Sequence, residues 1–549
     1  MELIDQHSKK IMEGCKERAR DAGLSFEDET LEYIVTNRDL VELSPKIMIP
    51  TLYDYWVHDV EVLKGRGKYE LYPSNPYETV INTRPAISFY NDNNPDWLNV
   101  MIFYHVLGHI DFFQNNIYFR HTWDYDFTGE ALSDKRVIAK LRREHGRWVD
   151  YVIEFARGID NLVGYHREIN NIYGHNLPKY SDRINYYFDV FLQSKKHVKT
   201  SEFIKEIERY NECCRRDKGA LGEKTFLAEV DRRHPEFSAL FEKHRKNSKA
   251  PARDLLQFLM EKSAKLNKET NAWMKIILQV VRKTSLFFQP QIRTKIMNEG
   301  WASYWHETLF LQDDRIKGHE VDFARVNSAV TAMPRVGLNP YALGMKLFYW
   351  LEEMADKGRL AWDYQRIADR NRRRRYDAGT GEGKRFIFDV RENFCDFTFI
   401  SRFVDQEFID RNKLFVAGRR LNESKMVWEY YVKSRKAEDY RRMLNDALYH
   451  PPHITIDPEK TKNGTLYLVH HFEGKPLLQE FIPNTMLGIE FLWGGTVQLE
   501  TSEPAANHKF ASQLGAGQTV TENGRPKPEI KWRRVLYTMK DRKLAKRPV

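Results

Sequence analysis

The stretch FYHVLGHIDFFQNN, residues 103–116, sets two histidines four positions apart in an apolar run. On an α-helix, residues four apart lie on one face, so His105 and His109 project side by side, one turn apart. A helix presents two imidazoles to a single metal ion in this way in the H-E-x-x-H zinc motif. Here the residue after the first histidine is Val106, where that motif carries its catalytic glutamate. The run also has a start signal just upstream. Asn94 reads as the N-cap, Pro95 as the first helical residue and Asp96 as an acid in the first turn.

A third ligand must come from elsewhere, since zinc takes three or four. The candidate is Glu299, in MNEGWASYWHETLF at residues 297–310. It precedes Gly300, which permits close approach of another backbone. Its neighbours Met297, Trp301, Tyr304 and Trp305 imply burial, and a buried carboxylate needs a cation. His306, seven residues on, returns to nearly the same helical face. The same features also arise without a metal. A histidine pair at this spacing occurs in ordinary cores, and Asp111, Asn115 and Asn116 read equally well as supporting hydrogen-bond partners or as plain caps.

Composition bounds the class. At 549 residues and 42% hydrophobic content, the chain suits two or three globular domains. No apolar run approaches the ~18 residues that span a bilayer. The opening MELIDQHSKKIMEGCKERAR reads as an amphipathic helix, not a signal peptide. Four cysteines (Cys15, Cys213, Cys214 and Cys395) make neither a disulfide framework nor a CxxC pair, which implies a reduced, cytoplasmic protein. The net charge of +10 favours anionic partners such as nucleic acid or a membrane surface, but it is modest for this length, and nucleic-acid binding rests on charge alone. Its densest cluster, RNRRRR at 370–375, reads as a solvated loop, with anion binding as the alternative. The following GTGEGK fails as a phosphate loop, with Ala378 in place of the first glycine and Arg385 in place of Ser or Thr.

Along the chain, helical patterns dominate to about residue 435. They flank a proline-bounded turn, SPKIMIP, and a short strand in ETVINTRPAISFY. One helix begins beyond Pro290 and carries Glu299, and another begins at Asn339 with Pro340 at its first position. After about residue 450, HITIDP, GTLYLVHHFEG, KPLLQEFI, LGIEFLW and GTVQLET read as strands and hairpins. The tail KDRKLAKRPV reads as loose. The fold class is therefore mainly α (α+β). A helical domain with a small sheet, residues 1–435, precedes a small β-rich domain, residues 436–549.

The segments HVLGHIDFFQNN and MNEGWASYWHETLF closely resemble the stage V sporulation protein R (SpoVR) family, as do YETVINTRPAISFY before the first and NPYALGMKLFYWLEE after the second. The β-rich tail looks like that family's C-terminal region. The resemblance implies a bacterial cytoplasmic protein of spore cortex, that is cell-wall, biogenesis, and brings no settled biochemical activity. A second likeness is to glu-zincin metallopeptidases, which pair H-E-x-x-H with a downstream glutamate. His105, His109 and Glu299 match those three ligand positions, which implies a zincin-like domain with bound zinc. Two histidines and one carboxylate also suit iron(II). Val106 departs from that pattern and removes the general base. His306 is the first substitute, Glu307 the second and Asp111 the third. The expectation is thus a mononuclear metal site for amide hydrolysis, with a peptide or peptidoglycan-related ligand. Its rival is a non-catalytic scaffold that binds metal and regulates wall or stress enzymes through a protein partner.

Overall fold

The computed structural model describes residues 2–36 (save 28), 78–163 (save 120, 121 and 123–126), and 181–248 (save 197–205 and scattered positions to 219). It further describes 254–422 (save 362, 363 and 365), 426–448, 451–472, 476–504 and 532–549. The turn SPKIMIP lies outside the described residues. The described chain is mainly helical, with small sheets. Two compact units are present: Met1–Gly164 with Leu255–Val549, and Tyr165–Asp254.

The smaller unit is built on aromatic side chains. Its helices Ala220–Arg233 and Phe237–Ser248, with the π-helical run Tyr186–Lys195, bury Tyr187, Phe191, Phe226 and Phe237 against one another. Tyr187 meets Phe226 and Phe237 edge-on, and Phe191 meets Phe237 edge-on, as their quadrupoles favour.

The larger unit opens with β1 (Glu2–Leu3), α1 (Gln6–Asp21) and β2 (Thr30–Val35). The segment ETVINTRPAISFY, read as one strand, is two: β3 (Glu78–Ile81) and β4 (Ala86–Asn91), antiparallel around a cis Arg84–Pro85 bond. The four strands form a sheet of order β1-β2-β4-β3, with β2 and β4 parallel. Next comes α2 (Asp96–Asn115), which carries His105 and His109. It starts one residue later than its sequence signals, with Pro95 at the N-cap. From Leu98 to Phe113 every residue is buried, so α2 is a core helix with no solvent face.

Helix α3 (Trp148–Arg157) follows, and then α4 (Ala272–Arg293). A new helix does begin beyond Pro290, at Lys295, while α4 itself runs through Pro290 and stops at Thr294, whose hydroxyl donates to the Pro290 carbonyl. Helix α5 (Lys295–Phe310) then carries Glu299 and His306. Around it stand α6 (Glu320–Val330), α7 (Pro340–Asp356), α8 (Gly383–Asn393) and α9 (Asp396–Phe403). Helix α7 begins as its sequence signals, with the Asn339 side chain accepting from the Tyr341 and Ala342 amides.

Helix α5 lies between α2 and α7 at very close range. A Cβ on Gly108 of α2 would come within 2.8 Å of the Ala302 Cα. A Cβ on Gly300 would collide with the backbone of Gly344, and one on Gly344 with the Ile296 carbonyl. Glycines therefore make both contacts possible. The N-terminus of α5 is held from outside. The buried Asp396 carboxylate accepts from the Ile296 and Met297 amides, both at 2.9 Å, satisfying two of the orphan N–H groups. Burial still pushes Asp396 up to about 7, against the opposing pull of those two amides.

The C-terminal region holds a projecting two-stranded hairpin, β5 (Val416–Asn422) with β6 (Val427–Ser434), and a five-stranded sheet. That sheet contains β7 (Ile454–Ile456), β8 (Leu466–His470), β9 (Val497–Pro504), β10 (Trp532–Lys540) and β11 (Lys543–Pro548), in the order β11-β10-β9-β8-β7. Four expectations are corrected here. LGIEFLW lies not in a strand but in helix α10 (Ile482–Trp493), because β8 and β9 pair parallel and need a crossover. The basic tail is not loose: β11 pairs with β10 across Asp541 and Arg542, both at positive φ, the turn that a right-twisted hairpin requires. KPLLQEFI forms no strand among its described residues. RNRRRR is a short helix, Arg370–Arg375, capped by Asp369, rather than a loop.

Because the α5–α7 crossing tolerates no side chain, Gly300→Ala is expected to cost ~1–3 kcal/mol through forced separation of the helices. Urea unfolding of the variant against the parent chain measures it. A cost under ~0.5 kcal/mol would show that the crossing is slack.

Candidate metal centre

The described residues bring His105, His109 and Glu299 together: their ligand atoms all lie within 4.8 Å of one another. Glu299 Oε2 stands 3.8 Å from His105 Nε2 and 3.6 Å from His109 Nε2. Two atoms bound ~2.1 Å from a tetrahedral ion lie roughly 3.4 Å apart, so small shifts would close the set around a cation. Glu299 Oε2 is buried and makes no hydrogen bond. A buried, ionised oxygen in that position is poorly compensated unless a cation joins it.

The charge states suit ligation. Burial pushes His105 down to about 3, and with it the imidazole is neutral. Burial alone would raise Glu299. The contacts with His105 and His109 and a hydrogen bond from the Tyr341 side chain outweigh it and hold the carboxyl below its usual range.

A chain of hydrogen bonds behind His105 selects which ring nitrogen faces Glu299. The Glu307 carboxylate can only accept, so the Asn327 amide nitrogen, 2.6 Å away, faces it. The Asn327 oxygen therefore faces His306 Nε2 at 2.9 Å, and that nitrogen must carry the proton. His306 Nδ1 is then an acceptor and takes the proton of His105 Nδ1 at 2.8 Å. What remains on His105 Nε2 is a lone pair aimed at Glu299. His109 follows the same logic: its Nδ1 donates to the Asn298 oxygen at 2.9 Å, and its Nε2 faces Glu299. The Tyr349 hydroxyl donates to Glu307 at 3.0 Å and steadies the far end of the chain.

The remaining sequence candidates stand elsewhere in the network. Both nitrogens of His306 are engaged, and burial pushes it down to about 4. Glu307 is tied to Asn327 and Tyr349. The buried Asp111 accepts from the Ser25 amide and Trp301 Nε1, both at 2.8 Å, and lies 3.4 Å from Arg391 Nε. Asn115 donates to the Ser25 carbonyl, and Asn116 to the Arg391 and Phe394 carbonyls. These three lock α1, α2, α5 and α8 together. Val106 is fully buried among apolar groups. Sequence reasoning missed Asn327, Asn298, Tyr341 and Asp396. Asn298 and Tyr341 were adjacent to motifs in hand, but nothing local marks Asn327 or Asp396.

Beside the three ligands lies a cleft of about 480 Å³, lined by His105, His306, Lys295, Asn339 and Tyr341 with apolar side chains of α2 and α6.

Residues 3–450 match the sequence profile described as SpoVR like protein. A relative is the uncharacterized protein YcgB of Escherichia coli (strain K12), 25% identical over 490 residues, which cover 85% of this chain and 86% of that protein. No solved structure matches. No helix among the described residues is long and apolar enough to cross a membrane.

Removing the carboxylate in Asp111→Ala strands the Arg391 guanidinium and the Trp301 N–H in the core. A loss of ~3–5 kcal/mol is expected, as for breaking one partner of a buried pair. Chemical denaturation tests this, and a loss below ~1 kcal/mol would show that the network is not a fastening.

Proposed function

The chain belongs to the SpoVR family, and from that premise and the site's geometry we propose that it holds one divalent metal ion on His105, His109 and Glu299. The observation that carries this reading is the unsatisfied Glu299 Oε2 facing two imidazole nitrogens whose lone pairs are fixed by hydrogen bonds behind them. Zinc is the ion of choice for two histidines and a carboxylate with an open position, and iron(II) is the competitor. A metal there supplies a Lewis acid next to the cleft, able to polarise the carbonyl of an amide. As substrate we propose a peptide-type amide of the kind found in peptidoglycan, in keeping with a role in cortex or cell-wall biogenesis. We place the protein in the cytoplasm, in keeping with its four unpaired cysteines.

In this reading the chain's own groups divide the work. His105, His109 and Glu299 bind the ion. His306, Asn327 and Glu307 hold His105 in the tautomer that binds. This assigns His306 to positioning, not to proton transfer, since neither of its nitrogens faces the cleft unengaged. Lys295 and Tyr341 line the cleft and contact what enters it.

A second reading is favoured by a specific feature. Val106 occupies the general-base position and no substitute carboxylate is unoccupied, so the metal serves a scaffold that is not an enzyme. Loss of a general base removes ~10²–10⁴ in rate. The two readings share the metal and differ in turnover.

Elemental analysis of the full chain purified without a metal-affinity tag tests the shared premise. About one zinc per chain is expected, and Glu299→Gln or His105→Ala should bring it near zero. A metal-free parent chain that also fails to take up zinc by calorimetry overturns both readings. Asn327→Leu should leave the ligands in place yet weaken zinc ~10–100-fold in a chelator competition, as outer hydrogen-bond partners do. With zinc bound, release of amines from muropeptides selects the hydrolase, and its absence at full loading selects the scaffold.

A further inference from the structure

Away from the metal centre, the C-terminal sheet carries a second cavity. It is about 440 Å³ in volume and lies between α10, the strands β7, β8 and β9, and the turn at Gly158–Leu162. Its wall is aliphatic: Ile454, Leu468, Leu477, Met486, Ile489 and Leu499. Among the described residues no lysine, arginine, aspartate or glutamate lines it, and Asn161, His470 and Thr485 are the polar side chains. The His470 ring is buried, with Nδ1 2.8 Å from the Thr501 hydroxyl.

At the mouth stand Leu478 and Phe481, which leave 65% and 58% of their surfaces to solvent. Both belong to KPLLQEFI, whose apolar pattern suggested a strand, yet its described residues form none. The pattern is explained if these side chains serve as an apolar lip instead. Volume, aliphatic walls and a few polar groups are the features of small-molecule sites. A dry aliphatic hole forfeits dispersion contacts on every side unless something fills it.

We propose that this cavity binds the aliphatic chain of an uncharged small molecule, which enters past Leu478 and Phe481. The walls exclude other classes by their chemistry. An ionised head inside would have no counter-charge, and flexible Leu, Ile and Met side chains adapt to an apolar guest. Asn161 and Thr485 supply hydrogen bonds for a hydroxyl or a carbonyl. The site does not depend on the metal reading.

The test uses the full chain and the neutral dye N-phenyl-1-naphthylamine, followed by fluorescence. Saturable binding at about one site per chain is expected, with displacement by dodecan-1-ol and at least ~tenfold weaker displacement by dodecanoate. Thr485→Trp, at a half-buried position facing the cavity, should weaken the dye at least ~tenfold by filling the volume. Phe481→Asp, at an exposed position, should weaken it through a charge on the lip, and this variant decides the matter if Thr485→Trp misfolds. His105→Ala should bind the dye as the parent does. Non-saturable binding overturns the proposal, as does unchanged affinity in folded Thr485→Trp and Phe481→Asp. Equal displacement by the acid and the alcohol overturns the uncharged assignment.

Discussion

Helix α5 can bring Glu299 to the imidazoles of α2 only where two helical backbones nearly touch. A side chain at position 108 would push against Ala302, and one at 300 or 344 would push α5 and α7 apart. The ligand distances of 3.6 and 3.8 Å are therefore set by the absence of side chains at three positions as much as by the ligands themselves. Asp396 completes the constraint from the far end, since its carboxylate fixes where α5 starts and hence the rotation at which Glu299 points. The helices are held by backbone proximity and buried hydrogen bonds, and these leave little freedom to slide.

Such packing would be costly around ionisable groups were they not arranged as donors and acceptors in sequence. The run from Glu307 through Asn327 and His306 to His105 has one consistent polarity, because a carboxylate at its end can only accept. Each member is satisfied by its neighbour, so burial is tolerated without a net buried cation on the imidazoles. The arrangement ends on an acceptor atom, His105 Nε2, rather than on a proton.

The mainly α class with small sheets was readable from periodicity, because long helices such as α2 and α7 carry strong start signals. The three-residue constellation was readable too, since i, i+4 spacing and an apolar-flanked acid are local facts. What was not readable depends on contacts far apart in sequence. Asn327 and Asp396 look like ordinary polar residues until tertiary packing aims them at His306 and α5. The error at LGIEFLW has a different origin. Pro483 near its start and Gly494 just past its end were helix signals in plain view, but β-branched and aromatic content dominated the reading. In the tail, Asp541 and Arg542 adopt left-handed backbone without glycine or asparagine, so the turn left no residue signature. For the arginine cluster, Asp369 was a visible cap and was passed over.

The cap supplied by Asp396 also has a bearing on how the chain is made. During synthesis α2 emerges with apolar residues on every side, and its partner α5 is not anchored until Asp396 has left the ribosome, roughly 280 residues later. At ~5–20 residues per second that interval is tens of seconds. For its duration a helix without a solvent face is exposed to other nascent chains, which makes it a natural client for a holding chaperone. Fragments that stop short of residue 396 should be among the most aggregation-prone pieces of the molecule.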